Sequence, residues 1–465
     1  MSTIVLIKAG RKSVRQHYSP PLGIMSIAAY GRERAPGTDF RLIDMLTEDL
    51  TPEAAVERAL GFAPDLVGIS AMSYQAEAMK ALARECKARR PELPVIAGGP
   101  HPSTHPADAL SDGVDLVVRG EGEQTFLELL PRLLAGERRP ADIPGIAFRR
   151  DGELVLTPPR EEFAPPDSLP TPAYDLIDLR RYWDLPRFGT TSVHREYAIL
   201  STSRACPYQC TYCHRLFGSR YRAQSPEIVL RDLETLARDY RVREIQFVDD
   251  CFNLDKSRVA AICDGIVERG LKFAISFPNG LRGDIMDEPT LDKLKAAGTY
   301  RITYAIESAS PRIQKFLKKN VKLDRLKEVI AATDARGIMV DGFFMVGFPG
   351  EKREEIEMTF KYAIESRLHT ANFWFVTPFK GTELHRQAEE LGLTVPENPD
   401  ALHYFDPTTD LSEVPADQLR RMTQKNFLRF YLNPWRLWRI FRLFPNKRQI
   451  PALFLRFLKI SLKWN

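Results

Sequence analysis

The 465-residue sequence has only six cysteines, no acidic residue after Asp417 and no run of eighteen or more uncharged apolar residues. Each absence removes a class of protein. So few thiols in so long a chain do not build a disulfide framework. Without a long apolar run, no membrane-crossing helix is expected. The N-terminus, Met1-Ser2-Thr3-Ile4-Val5-Leu6-Ile7, lacks a basic stretch and reads as a strand rather than a targeting peptide. The expected compartment is the reducing cytoplasm. Cys86, Cys251 and Cys263 stand singly and suit buried apolar positions. No second short ligand pair of the kind used by structural zinc modules is present.

The missing carboxylates skew the charge. Residues 418–465 carry twelve Lys and Arg with no Asp or Glu, against a net charge of +5 for the whole chain. The rest is therefore acidic by seven charges. An acidic body disfavours a broad polyanion interface, so nucleic acid is not an expected partner.

What the chain does have is Cys206-Pro207-Tyr208-Gln209-Cys210-Thr211-Tyr212-Cys213. Three soft ligands share one short loop and leave a fourth coordination position open. A [4Fe–4S] cluster ordinarily takes four Cys, so three imply one iron left for a non-protein ligand. Zinc held by Cys206, Cys210, Cys213 and either His214 or a distant ligand is the alternative reading. The C-x₃-C-x₂-C spacing, with an aromatic residue before the last Cys, closely resembles the radical S-adenosylmethionine (SAM) superfamily. That resemblance implies that SAM chelates the open iron and is cleaved to a 5′-deoxyadenosyl radical. Tyr197–Ser201 just upstream reads as a strand delivering the loop at its C-terminal end.

Residues 1–150 alternate strands (Thr3–Ile7, Phe40–Asp44, Leu66–Ser70, Val95–Gly98, Leu116–Arg119) with helices (Gly23–Arg34, Thr51–Gly61, Ala76–Arg90, Pro106–Leu110). This predicts a parallel sheet covered on both faces, with ligands at the C-terminal strand ends. Those ends carry Ser70-Ala71-Met72-Ser73, Gly98-Gly99-Pro100-His101-Pro102 and Arg119-Gly120-Glu121-Gly122-Glu123. Singly they are ordinary turns. Together they resemble the cobalamin-binding domain of the B12-dependent radical SAM class, a resemblance that covers roughly residues 1–390. It implies cobalamin contacts from Ser70, Ser73, Gly98, Gly99, Pro100, His101 and Glu121. One departure stands out. The loop Lys8–Gly23 lacks Asp-x-His-x-x-Gly, so His17 reads as a loop residue and no imidazole is expected on cobalt.

Proline-rich residues 151–195 read as a linker. Residues 196–390 give a second series with six strands: Tyr197–Ser201, Glu244–Asp249, Phe273–Phe277, Arg301–Glu307, Val340–Val346 and Ala371–Val376. The fold class is thus α/β. A Rossmann-like cobalamin-binding domain precedes a partial (β/α)₆ TIM barrel of the radical SAM kind and a helical C-terminal region, 391–465. By the same resemblance SAM binds through Tyr212, Asn279, Arg282, Glu307 and Gly347. Tyr212 would present backbone to adenine, Arg282 would take the SAM carboxylate, and Gly347 with Gly350 would let backbone pass the adenine. Asp249-Asp250 would orient SAM, or Asp255 would only cap the next helix.

The activity so implied is methylation of an unactivated carbon by a [4Fe–4S] cluster, SAM and cobalamin, fed by an external flavodoxin- or ferredoxin-type electron donor. Cyclisation or oxidation without methyl transfer is the alternative on the same scaffold; a non-enzymatic iron–sulfur or zinc protein is the outside one. In the tail, Trp435, Trp438 and Phe441 recur every third residue, with Arg436, Arg439 and Arg442 one step later. Basic and aromatic amphipathic helices suit an anionic membrane surface. Peripheral contact at the inner membrane through 420–465 is expected, with a lipid, isoprenoid, secondary-metabolite or other small hydrophobic substrate. The competing reading is a packing helix whose Arg stems lie along the barrel.

Overall fold

The computed structural model describes residues 2–10, 17–187, 191–395, 404–407, 409–451 and 455. Contacts divide the chain into two units, Met1–Arg187 and Phe188–Asn465.

In the first unit, short apolar runs form β1 (Ser2–Lys8), β2 (Thr38–Asp44), β3 (Leu66–Ser70), β4 (Val95–Gly98) and β5 (Leu116–Val118). Two further strands, β6 (Ile146–Arg150) and β7 (Glu153–Leu156), complete a sheet of order β2-β1-β3-β4-β5-β6-β7. Pairing is parallel through β5 and antiparallel at β6 and β7. One layer of core joins Val5, Ile7, Ile43, Val67, Ile69, Val95 and Ala97 to Met79, Leu82 and Ala83 of the helix Ala76–Arg89. Burial on both faces explains why the inner strands β1, β3 and β4 are largely apolar rather than alternating.

The hairpin corrects the expected linker over 151–195. Glu153–Leu156 is an edge strand, and the stretch up to Arg187 belongs to the first unit. It is anchored there by Tyr182, whose hydroxyl donates to Asp44 Oδ2 at 2.5 Å at the C-terminal end of β2. Its strand signal was weak because β7 is largely exposed and carries one charge in four residues. The helix Glu123–Leu134 was also unforeseen; it starts where a loop was expected.

The second unit holds β8 (Tyr197–Leu200), the small antiparallel pair β9 (Ser203–Arg204) and β10 (Arg222–Ala223), β11 (Glu244–Phe247), β12 (Ala274–Leu281), β13 (Thr299–Glu307), β14 (Met339–Val346) and β15 (Thr370–Phe375). The main sheet runs β15-β14-β13-β12-β11-β8, all parallel. Helices Pro226–Tyr240, Lys256–Glu268, Glu288–Ala296, Leu323–Ala335 and Arg353–Glu365 link successive strands. The apolar wall includes the mutually packed rings of Phe247, Phe252 and Phe277, with centroids 4.8–5.5 Å apart. β12 is longer than expected. It continues past Phe277 with a register shift before Leu281, so Asn279 lies on the strand and not on a following loop.

The N-terminal ends of β13 and β14 carry a different kind of contact. Arg301 forms an ion pair with Asp341, both buried. Thr303 donates to the same carboxylate at 3.4 Å, Thr370 also donates to it, and Arg301 donates to Thr191 at 3.2 Å.

The C-terminal region forms the helices Ala416–Tyr431 and Pro434–Leu443 and a short turn, Lys447–Gln449. Here one element of the tail reading is corrected. Two of the three arginines of the row turn inward: Arg436 and Arg439 are buried, and Arg442 is exposed. Arg436 Nη2 donates to the carbonyls of Ile364 (2.7 Å) and Ser366 (3.2 Å), and its guanidinium lies 3.5 Å over the Phe430 ring. Arg439 pairs with Asp334 at 3.0 Å. Cations suit the carbonyl-rich C-terminal end of a helix, here that of Arg353–Glu365. The packing reading thus holds for these two arginines, and the aromatic row faces out. Phe454, Arg456, Phe457, Lys459, Lys463 and Trp464 lie outside the described residues.

Candidate functional site

Every parallel strand of the second unit ends toward the Cys loop, and the loop is pinned by backbone. Thr211 N–H donates to Leu317 O at 3.1 Å, and Leu384 N–H donates to Thr211 O at 2.8 Å. At its start, Asp249 accepts from Thr202 N–H (3.0 Å), Thr202 Oγ1 (2.8 Å) and Ser203 Oγ (2.6 Å). Asp249 therefore braces the loop, while Asp255 caps the helix Lys256–Glu268 through Arg258 N–H at 3.1 Å. Burial pushes the Asp249 carboxyl up despite these donors.

Cys210 is buried, Cys206 half-buried and Cys213 exposed. Cys213 hydrogen-bonds to Cys210 and holds the Cys210 thiol down to about 6. Cys206 has a neighbour the sequence hid. Cys251, expected to be isolated, hydrogen-bonds to it and holds it down to about 7. The same bonds push the partner thiols up: Cys213 rises as Cys210 falls, and Cys251 rises as Cys206 falls. Three thiolates of one loop fit a cubane, in which each binds a different iron. Among the described residues, no three His, Cys, Asp or Glu side chains converge as they would on a lone ion. His214, the candidate zinc ligand, contacts Lys380 O at 3.0 Å instead.

The proposed SAM residues fall into two groups. Tyr212 and Glu307 come together: Tyr212 Oη donates to Glu307 Oε1 at 3.0 Å, and both accept from buried Lys319. Lys319 was missed because nothing marks it in a loop rich in lysine. Asn279 Nδ2 donates to Asp249 O at 2.9 Å. Arg282 differs from expectation. Its guanidinium forks onto Asp284 at 2.6 and 3.1 Å and lies 4.0 Å over the Tyr208 ring, so an internal carboxylate holds the place expected for that of SAM.

Gly347 has φ +90°, a conformation that favours glycine. A side chain there would meet Leu419 at 2.7 Å. Glu351 Oε2 accepts from Gly347 N–H (2.7 Å) and Phe348 N–H (3.0 Å), closing this turn. Burial pushes its carboxyl up to about 8. A folded-state pKa raised above the unfolded value gives stability that is present below about 4.5 and lost as pH rises through about 8. The slope is up to about 1.4 kcal/mol per pH unit. Glu351→Gln should flatten this slope in denaturant titrations between those limits; an unchanged slope would assign the pH dependence elsewhere.

In the first unit the expected cobalamin residues share the C-terminal sheet edge. Gly99 has φ +96°, and a Cβ on it would meet Ser70 Oγ at 3.0 Å and Ala71 O at 3.1 Å. Pro100 begins a short helix, Pro100–Thr104, whose Ser103 hydroxyl donates to Gly99 O (2.8 Å) and accepts from Gly120 N–H (2.9 Å). The Gly98-Gly99 turn and the Gly120-Glu121 loop are thereby joined. Ser73 starts the next turn, and Glu121 is buried. His101 is buried with Nε2 2.9 Å from Asp108 and no partner on Nδ1. A tight glycine cradle and an orphaned buried nitrogen at a strand-end edge fit a bulky polar ligand. At the same edge lies Lys8, missed in the sequence. It is half-buried, donates to Ser19 O at 2.8 Å and lies 3.5 Å from Asp44.

Comparison with known proteins follows these two edges. The B12 binding domain family matches residues 11–130, and the Radical SAM superfamily matches residues 200–363. An uncharacterized methyltransferase of Pyrococcus horikoshii is 33% identical over 420 residues, covering 89% of this chain and 88% of that one. Cytidylyl-2-hydroxyethylphosphonate methyltransferase of Streptomyces wedmorensis is 30% identical over 418 residues, covering 83% and 78%. Among solved structures, the cobalamin-dependent S-adenosylmethionine radical enzyme OxsB, with aqua-cobalamin and S-adenosylmethionine bound, superposes with a TM-score of 0.74 at 16% identity. That match covers 99% of this chain and 76% of that one, and it speaks to the fold.

Proposed function

We propose that this chain, which belongs to the cobalamin-dependent radical SAM methyltransferases, methylates an unactivated carbon of a small hydrophobic molecule. The observation that carries the reading is the Cys206-Cys210-Cys213 loop, held at the C-terminal mouth of an open six-stranded parallel barrel. When bound, the cluster, SAM and cobalamin supply the one-electron chemistry and the transferable methyl group. The protein's own residues bind and orient. Cys206, Cys210 and Cys213 hold the cluster. Tyr212, Glu307, Asn279 and the Gly347 turn form the polar wall for SAM, with Arg282 braced behind Tyr208. Ser70, Ser73, the Gly98-Gly99-Pro100 turn, His101 and Glu121 cradle the cobalamin. The electron comes from a flavodoxin- or ferredoxin-type donor.

Incubating the reduced, reconstituted protein with methyl-labelled SAM and extracts of hydrophobic metabolites tests this. Label in a carbon-methylated product is expected. Deoxyadenosine without labelled product would instead place the chain among cyclising or oxidising enzymes.

We further propose that the helix Pro434–Leu443 rests on an anionic membrane. None of the described helices is long and apolar enough to cross one. Leu432 (63%), Trp435 (64%), Trp438 (49%) and Phe441 (52%) are exposed. The two Trp rings stack at 5.4 Å. Buried Arg436 and Arg439 stop the helix from rolling these rings inward. Arg421, Lys425 and Arg429 line a groove of about 800 Å³ beside them. Aromatic rings with a cationic rim match the lipid interface. Trp435→Ala/Trp438→Ala should weaken binding to phosphatidylglycerol-containing vesicles about tenfold or more. Equal binding to neutral vesicles, or no change in the double variant, would sink the idea.

A further inference from the structure

We propose that Lys319 is a positioning residue of the radical SAM site: its ammonium fixes the Glu307 carboxylate and Tyr212 hydroxyl and supplies the positive charge against which a cluster on Cys210 and Cys213 is reduced. The inference rests on the reading above that these cysteines hold a [4Fe–4S] cluster.

Lys319 is 7% exposed. Its Nζ donates to Tyr212 Oη at 2.9 Å and to Glu307 Oε1 at 3.0 Å, while Tyr212 Oη donates to the same Glu307 oxygen at 3.0 Å. The three groups close a triangle. Nζ also lies 5.7 Å from the centre of the Tyr212 ring. Tyr212 is the residue between Thr211, which pins the loop, and the ligand Cys213.

The backbone is bent to deliver this side chain. Lys318 (φ +54°) and Asn320 (φ +49°) flank Lys319 in the left-handed region, and its partner Glu307 (φ +67°) is there too. None is glycine, so each costs on the order of 1 kcal/mol, and such strain collects at functional sites. One residue staples the arrangement. Gln314 Nε2 donates to Ile306 O (2.9 Å) and Ser308 O (2.6 Å), straddling Glu307, while its Oε1 accepts from Val321 N–H (3.1 Å). Leu317, two residues before Lys319, offers the carbonyl that pins Thr211. A single turn thus aligns the strand end with the cluster loop.

A buried ion pair is weak evidence for stability, because desolvation offsets its attraction. It does set local potential. Reduction adds one negative charge to the cluster, and a cation in a poorly screened site favours the reduced form. Exposed Lys318, whose Nζ pairs with Glu383 at 2.6 Å, is the built-in comparison.

The test uses full-length protein, reconstituted anaerobically, with iron and sulfide counted and the cluster titrated by EPR against potential. Lys319→Met should retain iron and sulfide but reduce about tenfold less readily, a fall of about 59 mV for one electron. Lys319→Gln, which keeps a donor without the charge, should fall similarly. Lys319→Arg should stay near the parent value, and Lys318→Met should not move. Parent-like potentials in the Met and Gln variants would overturn the proposal. So would loss of cluster from both with unchanged circular dichroism, since Lys319 would then serve assembly. An unsubstituted protein without any iron–sulfur EPR signal would refute the functional reading itself, before Lys319 is at issue.

Discussion

Protein carrying Cys206→Ala, Cys210→Ala and Cys213→Ala, reconstituted anaerobically, is expected to hold only trace iron and to lose the brown absorbance of a [4Fe–4S] cluster. SAM cleavage should fall to background with it. The effect is all-or-none because three ligands leave no redundancy: one coordination position is already open to a non-protein group. The single variant Cys210→Ala should come close to the triple. Cys210 is the buried member of the trio and directly precedes Thr211, whose backbone pins the loop. The fold should persist, because the loop is anchored through backbone groups of Thr211 and through Asp249 rather than through sulfur. Unchanged circular dichroism alongside lost iron is therefore the expected pair of results. Cys251→Ser provides the contrast. Cys251 hydrogen-bonds to Cys206 without belonging to the loop, so its loss should leave iron content intact. If the triple variant kept a full complement of iron, or if Cys251→Ser lost it, the ligand set would be wrong.

The strands and the Cys loop were legible because each is a local signal. A run such as Leu66–Ser70 or Tyr197–Leu200 is buried on both faces, so its apolar character survives in the sequence. The cluster ligands lie within eight residues. Lys319, Gln314 and Cys251 were illegible for the opposite reason. Their roles exist only through contacts across 45 or more residues, as between Cys206 and Cys251, or through a turn whose left-handed residues are not glycine. The tail shows a subtler failure. Its three-residue spacing correctly separated an aromatic row from an arginine row, yet periodicity cannot say which row faces inward. Helix-terminal carbonyls at Ile364 and Ser366 decided it, and they come within reach of Arg436 only once its helix packs on the end of Arg353–Glu365. Arg282 is expected from the sequence to meet the carboxylate of SAM, whereas in the structure its guanidinium pairs with Asp284, two residues away.

Asp341→Ala should destabilise the second unit by about 3–5 kcal/mol, the usual cost of leaving one member of a buried ion pair uncompensated. That corresponds to a drop on the order of 10 °C in the melting transition of a unit this size. Asp341 is fully buried and answers four groups: the guanidinium of Arg301 and the hydroxyls of Thr303 and Thr370 directly, and Thr191 through Arg301. Removing it strands a buried cation, which is worse than removing both charges. Arg301→Met/Asp341→Leu should therefore recover much of the loss, although the two threonine hydroxyls would still lack their acceptor. The pair sits at the N-terminal ends of β13 and β14, whereas Glu307 and Gly347 sit at the C-terminal ends of the same strands. In barrels the first end serves stability and the second chemistry. Asp341→Ala should thus bind iron normally at low temperature and lose it only on approach to its lowered melting point, measured by iron content and thermal scans on the same samples. A variant that melted like the parent would show the buried pair to be energetically neutral. One that lost iron while fully folded would show the two ends of the strands to be coupled.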